Sequence, residues 1–215
     1  DANSRYSDGH AYCFACHTYT PAEDWTHTHT RMNNERVQFL GSAEQLQKRR
    51  ISEATNSFYR IYRHGNTLRF PYYNESGQVV GFKIKTKSKD FHYEGASSDQ
   101  LFGQHLFPTS GKRIVITEGE LDAASCYEVM SGWPMVSLPH GAAAAKKDLQ
   151  KAIPFLQGYQ EIVLFFDNDE AGREAVESAS SILPAGRVKI ARLDAYKDAS
   201  DALQAEDREA IRRAI

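Results

Sequence analysis

Cysteine is scarce, with Cys13, Cys16 and Cys126 the three in the chain. So sparse a set, in a chain without a secretory pattern, excludes a disulfide-stapled scaffold. No apolar run approaches the roughly 20 residues that a membrane-spanning helix needs, and no signal-peptide pattern opens the chain. No Gly-x-x-x-x-Gly-Lys-Ser/Thr loop occurs, which excludes a P-loop motor. What remains is an ordinary composition, 41% hydrophobic and 25% charged over 215 residues. That leaves room for one substantial core and one smaller module. The chain opens at Asp1 rather than Met, and a helical pattern from Asp207 ends at Ile215 without a cap, so it reads as a fragment.

The formal charge of −2 hides an asymmetry: the balance is +3 up to Lys112 and −5 from Arg113 onward. A mildly basic half beside an acidic half suits a polyanion held next to metal-binding acids, and it equally fits two solvated surfaces.

The acidic half is organised around two strand-to-helix junctions. Ile114, Val115 and Ile116 form a β-branched run of the kind buried on both faces of a parallel sheet. Thr117 and Glu118 close the strand, Gly119 supplies a turn, and Glu120 to Ser131 reads as a helix whose apolar face is Leu121, Ala124, Cys126 and Val129. The pattern recurs from Glu161 to Arg173, where Asp167 and Asp169 stand two apart at a strand end and so leave the same face. Carboxyl ends of strands are where open α/β sheets bind ligands. If the two strands are neighbours, Glu118, Asp167 and Asp169 converge. Each like-charged pair at about 4 Å then repels by about 4 kcal/mol at an effective dielectric near 20. Protons or divalent cations must answer that repulsion, and hard oxygen ligands select Mg²⁺ or Mn²⁺. The plain alternative is that these acids are helix N-caps. Trp133 to Leu138 and Arg187 to Leu193 read as further strands, completing a parallel α/β layer with right-handed crossovers; Asp198 adds an acid near the last strand end.

At the other end, Asp8-Gly9 is a hairpin signal followed at once by Cys13-x-x-Cys16, half of a zinc-ribbon ligand set. His10 and His17 could complete the set, although His17 adjoins Cys16; a second Cys pair upstream of Asp1 is the simpler completion. Cys-Phe-Ala-Cys-His also spells a haem-attachment pattern, but neither export nor a haem pocket is signalled. From Thr18 to about Asn34 the chain is polar and aperiodic and reads as a linker, with His27 and His29 solvated. Cys126, alone on an apolar helix face, reads as core.

Gln38 to Arg50 looks helical, and Ile51 to Ala54 opens a second short helix. Tyr59 to Tyr73 turns to β character around His64-Gly65-Asn66; Asn74 to Gly77 is the next turn, and Val79 to Lys89 the next strand. This half predicts an α+β subdomain with an antiparallel sheet. Within that strand Lys83, Lys85, Lys87 and Lys89 fall at period two, so a regular strand points all four to one face. Phosphates of a nucleotide or of single-stranded nucleic acid would relieve the repulsion; the alternative is a charged edge that resists aggregation. Pro139-His140-Gly141 and the alanines after it form a small-residue turn into a helix. An anion could lie at that helix's start, with His140, Lys146 and Lys147 beside it, or the helix is simply well packed.

Glu118-Gly-Glu-Leu-Asp122, Asp167-x-Asp169 and Lys197-Asp198 resemble the three motifs of a TOPRIM domain. The flanks Tyr6-Ser-Asp-Gly-His-x-x-Cys-x-x-Cys16, Leu101-Phe-Gly-x-His105, Val136-Ser-Leu-x-His-Gly-Ala142 and Asp167-x-Asp-Glu-Ala-Gly-Arg173 narrow the likeness. The whole resembles the primase half of the bifunctional primase–helicases of short-tailed phages, within the DnaG-type primase superfamily. The fold this implies is an α/β TOPRIM layer, a parallel sheet with flanking helices, preceded by an α+β subdomain and a small zinc-ribbon module. The divisions are 1–18 for the C-terminal part of the zinc module, 19–34 for a flexible linker, 35–112 for the α+β part and 113–215 for the TOPRIM part.

The resemblance implies a DNA primase, a nucleotidyltransferase making short RNA primers on single-stranded DNA. Carried over, Glu118, Asp167 and Asp169 ligand Mg²⁺ (or Mn²⁺), with Glu120, Asp122 and Asp198 in the same cluster. Lys83 and Lys89 face nucleotide or template and join the catalytic set, with Lys85 and Lys87 on the same surface. Cys13 and Cys16 hold structural Zn²⁺, and Asp8 and His10 lie where the template is read. The implied partners are single-stranded DNA, ribonucleoside triphosphates, the RNA primer, a C-terminally fused replicative helicase and DNA polymerase, all in the cytoplasm of an infected host cell. The first Cys pair of the family's zinc site is missing here, and Pro139 stands where these phage enzymes tend to have Gly. Rival readings are a catalytically silent TOPRIM assembly module and a TOPRIM nuclease.

Overall fold

The computed structural model describes residues 39–88, 90–96 and 98–215, together with the backbone of three short strands near the N-terminus. The chain divides into two units, Asp1–Arg36 and Val37–Ile215.

In the first unit β1 (Asn3–Arg5), β2 (Ala11–Cys13) and β3 (Thr18–Thr20) form an antiparallel sheet in that order. Asn3 pairs with Cys13 and Arg5 with Ala11; the turn expected at Asp8-Gly9 lies outside the described residues. Strand β3 occupies Thr18–Thr20, where the sequence suggested a linker, because its backbone groups pair with β2. The side chains of Asp8, His10, Cys13, Cys16, His17, His27 and His29 lie outside the described residues.

The second unit begins without the helix expected over 38–50. In its place, among the described residues, are single bridges from Ser42 to Arg63 and from Leu46 to Ile51, and one 3₁₀ turn at Gln47–Arg49. The helical periodicity there is overridden by pairing to the neighbouring strand. Helix α1 (Glu53–Tyr59) follows, with Ser52 as its N-cap accepting from the Thr55 amide at 3.2 Å. Strands β4 (Tyr62–His64), β5 (Thr67–Tyr73), β6 (Val79–Lys85) and β7 (Phe91–Gly95) then form an antiparallel meander. Strand β6 stops at Lys85, four residues earlier than its lysine pattern suggested. Thr86 then turns back, its amide bonding the Asp90 carbonyl at 3.0 Å.

The remainder alternates strand and helix: β8 (Gly111–Thr117), α2 (Glu120–Val129), β9 (Met135–Ser137), α3 (Ala145–Leu156), β10 (Tyr159–Phe165), α4 (Glu170–Ser180), β11 (Val188–Ile190), α5 (Ala199–Gln204) and α6 (Arg208–Ala214). The four strands are all parallel, in the order β11-β10-β8-β9. Period-two alternation covers both faces. Val115, Met135, Val163 and Phe165 enter one core with Leu121, Cys126, Leu203 and Ile211. Ile114, Ile116, Val136, Ile162 and Leu164 enter another under α3 and α4, with Leu149, Leu156, Val176 and Ala179. Cys126 is fully buried, as expected of a core thiol. The first core also takes Tyr59, Phe70, Tyr72 and Phe102, so one face of the antiparallel meander packs toward the parallel layer.

Candidate active site

The site is built by the neighbouring of β8 and β10. Ile116 pairs with Leu164 and Thr117 with Phe165, so Glu118 and Asp167 emerge side by side at the carboxyl edge. The strand ends at Phe165, so Asp167 and Asp169 lie in the loop beyond it rather than on regular strand. They still face the same way: the Lys197 ammonium is 3.1 Å from Asp167 Oδ2 and 3.1 Å from Asp169 Oδ2. Two bonds bring Lys197 there, from the Asn168 amide to the Lys197 carbonyl at 2.7 Å and from Asn168 Nδ2 to the Leu193 carbonyl at 2.9 Å. Gly172 is required for this packing, because a Cβ on it would stand 2.0 Å from the Asp167 carbonyl oxygen.

Asp169 and Asp198 are both N-caps, accepting from the amides of Gly172 at 2.9 Å and Asp201 at 2.7 Å. For Asp198 the capping and ligand readings are therefore compatible, since one oxygen caps and the other stays available, whereas the second oxygen of Asp169 is taken by Lys197. Asp122, in the first turn of α2, accepts from the Ser200 amide at 3.0 Å. One oxygen each from Asp122, Asp167 and Asp198 lies within 4.8 Å of the others.

Electrostatics mark the cluster as short of positive charge. Burial, then Asp198 and Asp167, pushes the Asp122 carboxyl well above the usual range. Burial raises Asp167 despite Lys197. Burial and the nearby Asp167 raise Glu118, with the Asp167 and Ala142 amides pulling the other way. Glu118 Oε2 is buried with no hydrogen-bond partner among the described residues. Asp169 is held low by the Gly172 amide and Lys197, while its two acids raise Lys197. An orphaned carboxylate oxygen on Glu118, near Asp167 of the three converging aspartates, fits a hard divalent cation.

Glu120 is not among the converging acids. In a helix, residues two apart point about 200° apart, so Asp122 turns to the cluster and Glu120 to the meander. There Glu120 is buried, 2.8 Å from Lys83 Nζ and 2.6 Å from the Tyr72 hydroxyl that donates to it. Lys83 also donates to the Pro139 carbonyl at 3.0 Å. The four-lysine face thus divides: Lys83 is buried in this tie, Lys85 is half-buried, Lys87 lies exposed in the turn, and Lys89 falls outside the described residues. His140 Nδ1 lies 2.9 Å from Asp148 Oδ1, so the first turn of α3 already carries a carboxylate where an anion was expected. Lys146 and Lys147 are exposed on the same turn.

A cleft of about 490 Å³ separates the two sheets' facing surfaces, lined by Arg49, Lys85 and Phe91 on one side and by Asp122, Lys197 and Asp198 on the other. Arg49, Tyr72 and Phe91 were not legible as site residues. Lys197 was visible only as the neighbour of Asp198. Arg49 reaches the cleft by donating to Ser200 Oγ at 2.8 Å, across 151 residues of sequence.

Acids gathered at the carboxyl edge of a four-stranded parallel sheet, sandwiched by helices, define a Toprim-type domain. The Toprim-like family matches residues 115–203. The DNA helicase/primase of Enterobacteria phage T3 is 37% identical over 94% of this chain, which spans 38% of that relative's length. The primase fragment of the bacteriophage T7 primase-helicase protein superposes with a TM-score of 0.79 at 33% identity, covering 100% of this chain and 93% of that one. The E. coli primase catalytic core, at 17% identity and TM-score 0.60, shares the fold over 79% of this chain and 70% of its own. The chain belongs to the primase family represented in these phage primase–helicases.

Proposed function

We propose that the chain is a DNA primase, joining ribonucleotides into short RNA primers on single-stranded DNA at the Toprim acids. The observation that carries this reading is the convergence of Asp122, Asp167 and Asp198, with the orphaned Glu118 oxygen near Asp167, opposite a cleft wall bearing Arg49 and Lys85. Glu118, Asp122, Asp167 and Asp198 would hold Mg²⁺ or Mn²⁺. Bound there, the cation supplies positive charge to the attacking 3′-oxygen and the departing pyrophosphate. Asp169 holds Lys197 in place, and Lys197 offsets part of the charge on Asp167. Arg49 and Lys85 face the triphosphate or template backbone. Lys83 acts from behind them by fixing Glu120.

We assign residues 1–20, through β3, to the C-terminal part of a zinc ribbon, with Cys13 and Cys16 on Zn²⁺ and Asp8 and His10 reading the template; 21–34 joins it to the polymerase parts at 35–112 and 113–215. Lys87 and Lys89 extend the nucleic-acid surface, and His140, Lys146 and Lys147 border it. The expected partners are a replicative helicase fused C-terminally and DNA polymerase, in the host cytoplasm. None of the described helices is long and apolar enough to cross a membrane.

The test supplies a diribonucleotide annealed to single-stranded DNA, Mg²⁺ and nucleotides, with Glu118→Gln alongside. Extension by the parent chain and none by the variant is the expected result. DNA cut instead of primer extended makes the chain a nuclease, and binding without either reaction makes it an assembly module.

A further inference from the structure

Phe91 and Tyr93 are large rings left open on the cleft side of edge strand β7, 47% and 39% exposed. The register pairs Lys85 with Phe91 and Lys83 with Tyr93, so two cations and two aromatics tile one patch. Tyr93 is committed, its hydroxyl donating to the Pro139 carbonyl at 2.7 Å. Phe91 has no such anchor: its ring lies 4.8 Å from Lys83 Nζ and 5.1 Å from Lys85 Nζ, and it forms part of the cleft wall. Lys85 makes no salt bridge among the described residues; burial, then Arg49, lowers its pKa, with Asp122 and Glu120 pulling the other way. Such a place, with an open aromatic ring, an ammonium held in no ion pair among the described residues and a second cation beside it, suits an anion that carries a flat apolar group. A nucleotide unit is that group: its phosphate answers Lys85 and Arg49, and its base covers the ring.

We propose that Phe91 is a base-stacking residue, on which the base of a nucleotide whose phosphate meets Lys85 lies flat. The proposal rests on the nucleotide-joining reading of the cleft and deepens it. The base belongs either to the DNA strand or to a ribonucleoside triphosphate, and the experiment separates these sources.

Binding is measured for Phe91→Ala and Phe91→Leu with oligothymidylate, with the same strand lacking its bases, and with ATP. Removing a stacked ring weakens binding by about tenfold or more. Loss toward oligothymidylate but not toward the abasic strand makes the base that of the DNA. Loss toward ATP alone makes it that of the incoming nucleotide. Phe91→Leu should lose as much as Phe91→Ala, since Leu keeps the apolar cover without the flat face. Phe91→Trp should report either ligand by quenching beyond that of the parent Trp25 and Trp133. Unchanged affinity for both ligands in Phe91→Ala, or full affinity in Phe91→Leu, overturns the proposal. Because these measurements read binding and not synthesis, a parent chain that extends primers while Phe91→Ala binds normally refutes stacking alone. A parent chain that extends nothing while Phe91→Ala loses base-dependent binding refutes the polymerase reading alone.

Discussion

Replacing Lys83 by Met strands the Glu120 carboxylate in the interior. The two side chains are 10% and 4% exposed, and their charged atoms are 2.8 Å apart. At an effective dielectric near 20 their attraction is about 6 kcal/mol, most of it already spent on removing both from water. Removing one partner therefore costs about 3–5 kcal/mol, because the other keeps its desolvation penalty. In Lys83→Met, Glu120 retains the Tyr72 hydroxyl as a donor at 2.6 Å. The double variant Lys83→Met/Glu120→Gln should recover most of the loss. The amide oxygen still accepts from Tyr72, and the Pro139 carbonyl still accepts from Tyr93 at 2.7 Å. With a urea dependence of about 2 kcal/mol per molar, the single variant should unfold at about 2 M less urea than the parent, and the double within about 0.5 M of it. Equal midpoints for the single and double variants would refute the reasoning, since the stranded charge would then carry none of the cost.

Asp122→Asn should stabilise the metal-free chain by about 1 kcal/mol in urea, by removing a charge from a crowded cluster, and abolish primer extension. Glu118, Asp122 and Asp167 all have raised folded pKa values. Their contribution is therefore fullest at low pH and falls as pH rises above the ordinary carboxylate range. Mg²⁺ should accordingly raise the melting temperature more at pH 7 than at pH 4.5, and an equal rise at both would refute the cluster as its site. His105 runs the other way: burial, then Arg60, lowers it to about 4, and its ring stacks on Tyr73 at 3.6 Å. Stability from His105 should be present above pH 6.5 and lost as pH falls toward 4. Urea midpoints of His105→Gln against the parent, at pH 7 and pH 5, check this. Gly172→Ala should cost at least about 2 kcal/mol, through overpacking of the Asp167 carbonyl, and also reduce extension; a neutral effect on both would contradict the contact.

The parallel layer was legible because its signal is local. Runs such as Ile114-Val115-Ile116 can be buried on both faces in few other ways, and the junction acids follow those runs at once. The helix opening at Ile51 to Ala54, the Gly65-Asn66 turn and the core role of Cys126 were legible for the same reason. The lysine pattern failed at Lys85 because period two persists in sequence whether or not a strand continues, and the turn to Asp90 is set by a backbone bond. The helix expected over 38–50 failed because pairing of Ser42 with Arg63 outweighs a weak local propensity.

The sequence by itself determined which segments are strands and helices in the parallel layer and which acids stand at its carboxyl edge. Both follow from side-chain type and spacing along a few residues. Tertiary structure alone decided how those acids are shared out. Asp122, Asp167 and Asp198 meet because the first turn of α2 and the loops before α4 and α5 converge there. Glu120 leaves them because it points the other way around its helix, to Lys83 and Tyr72. Lys197, Arg49 and Phe91 reach the cleft across distances in sequence that no local pattern records.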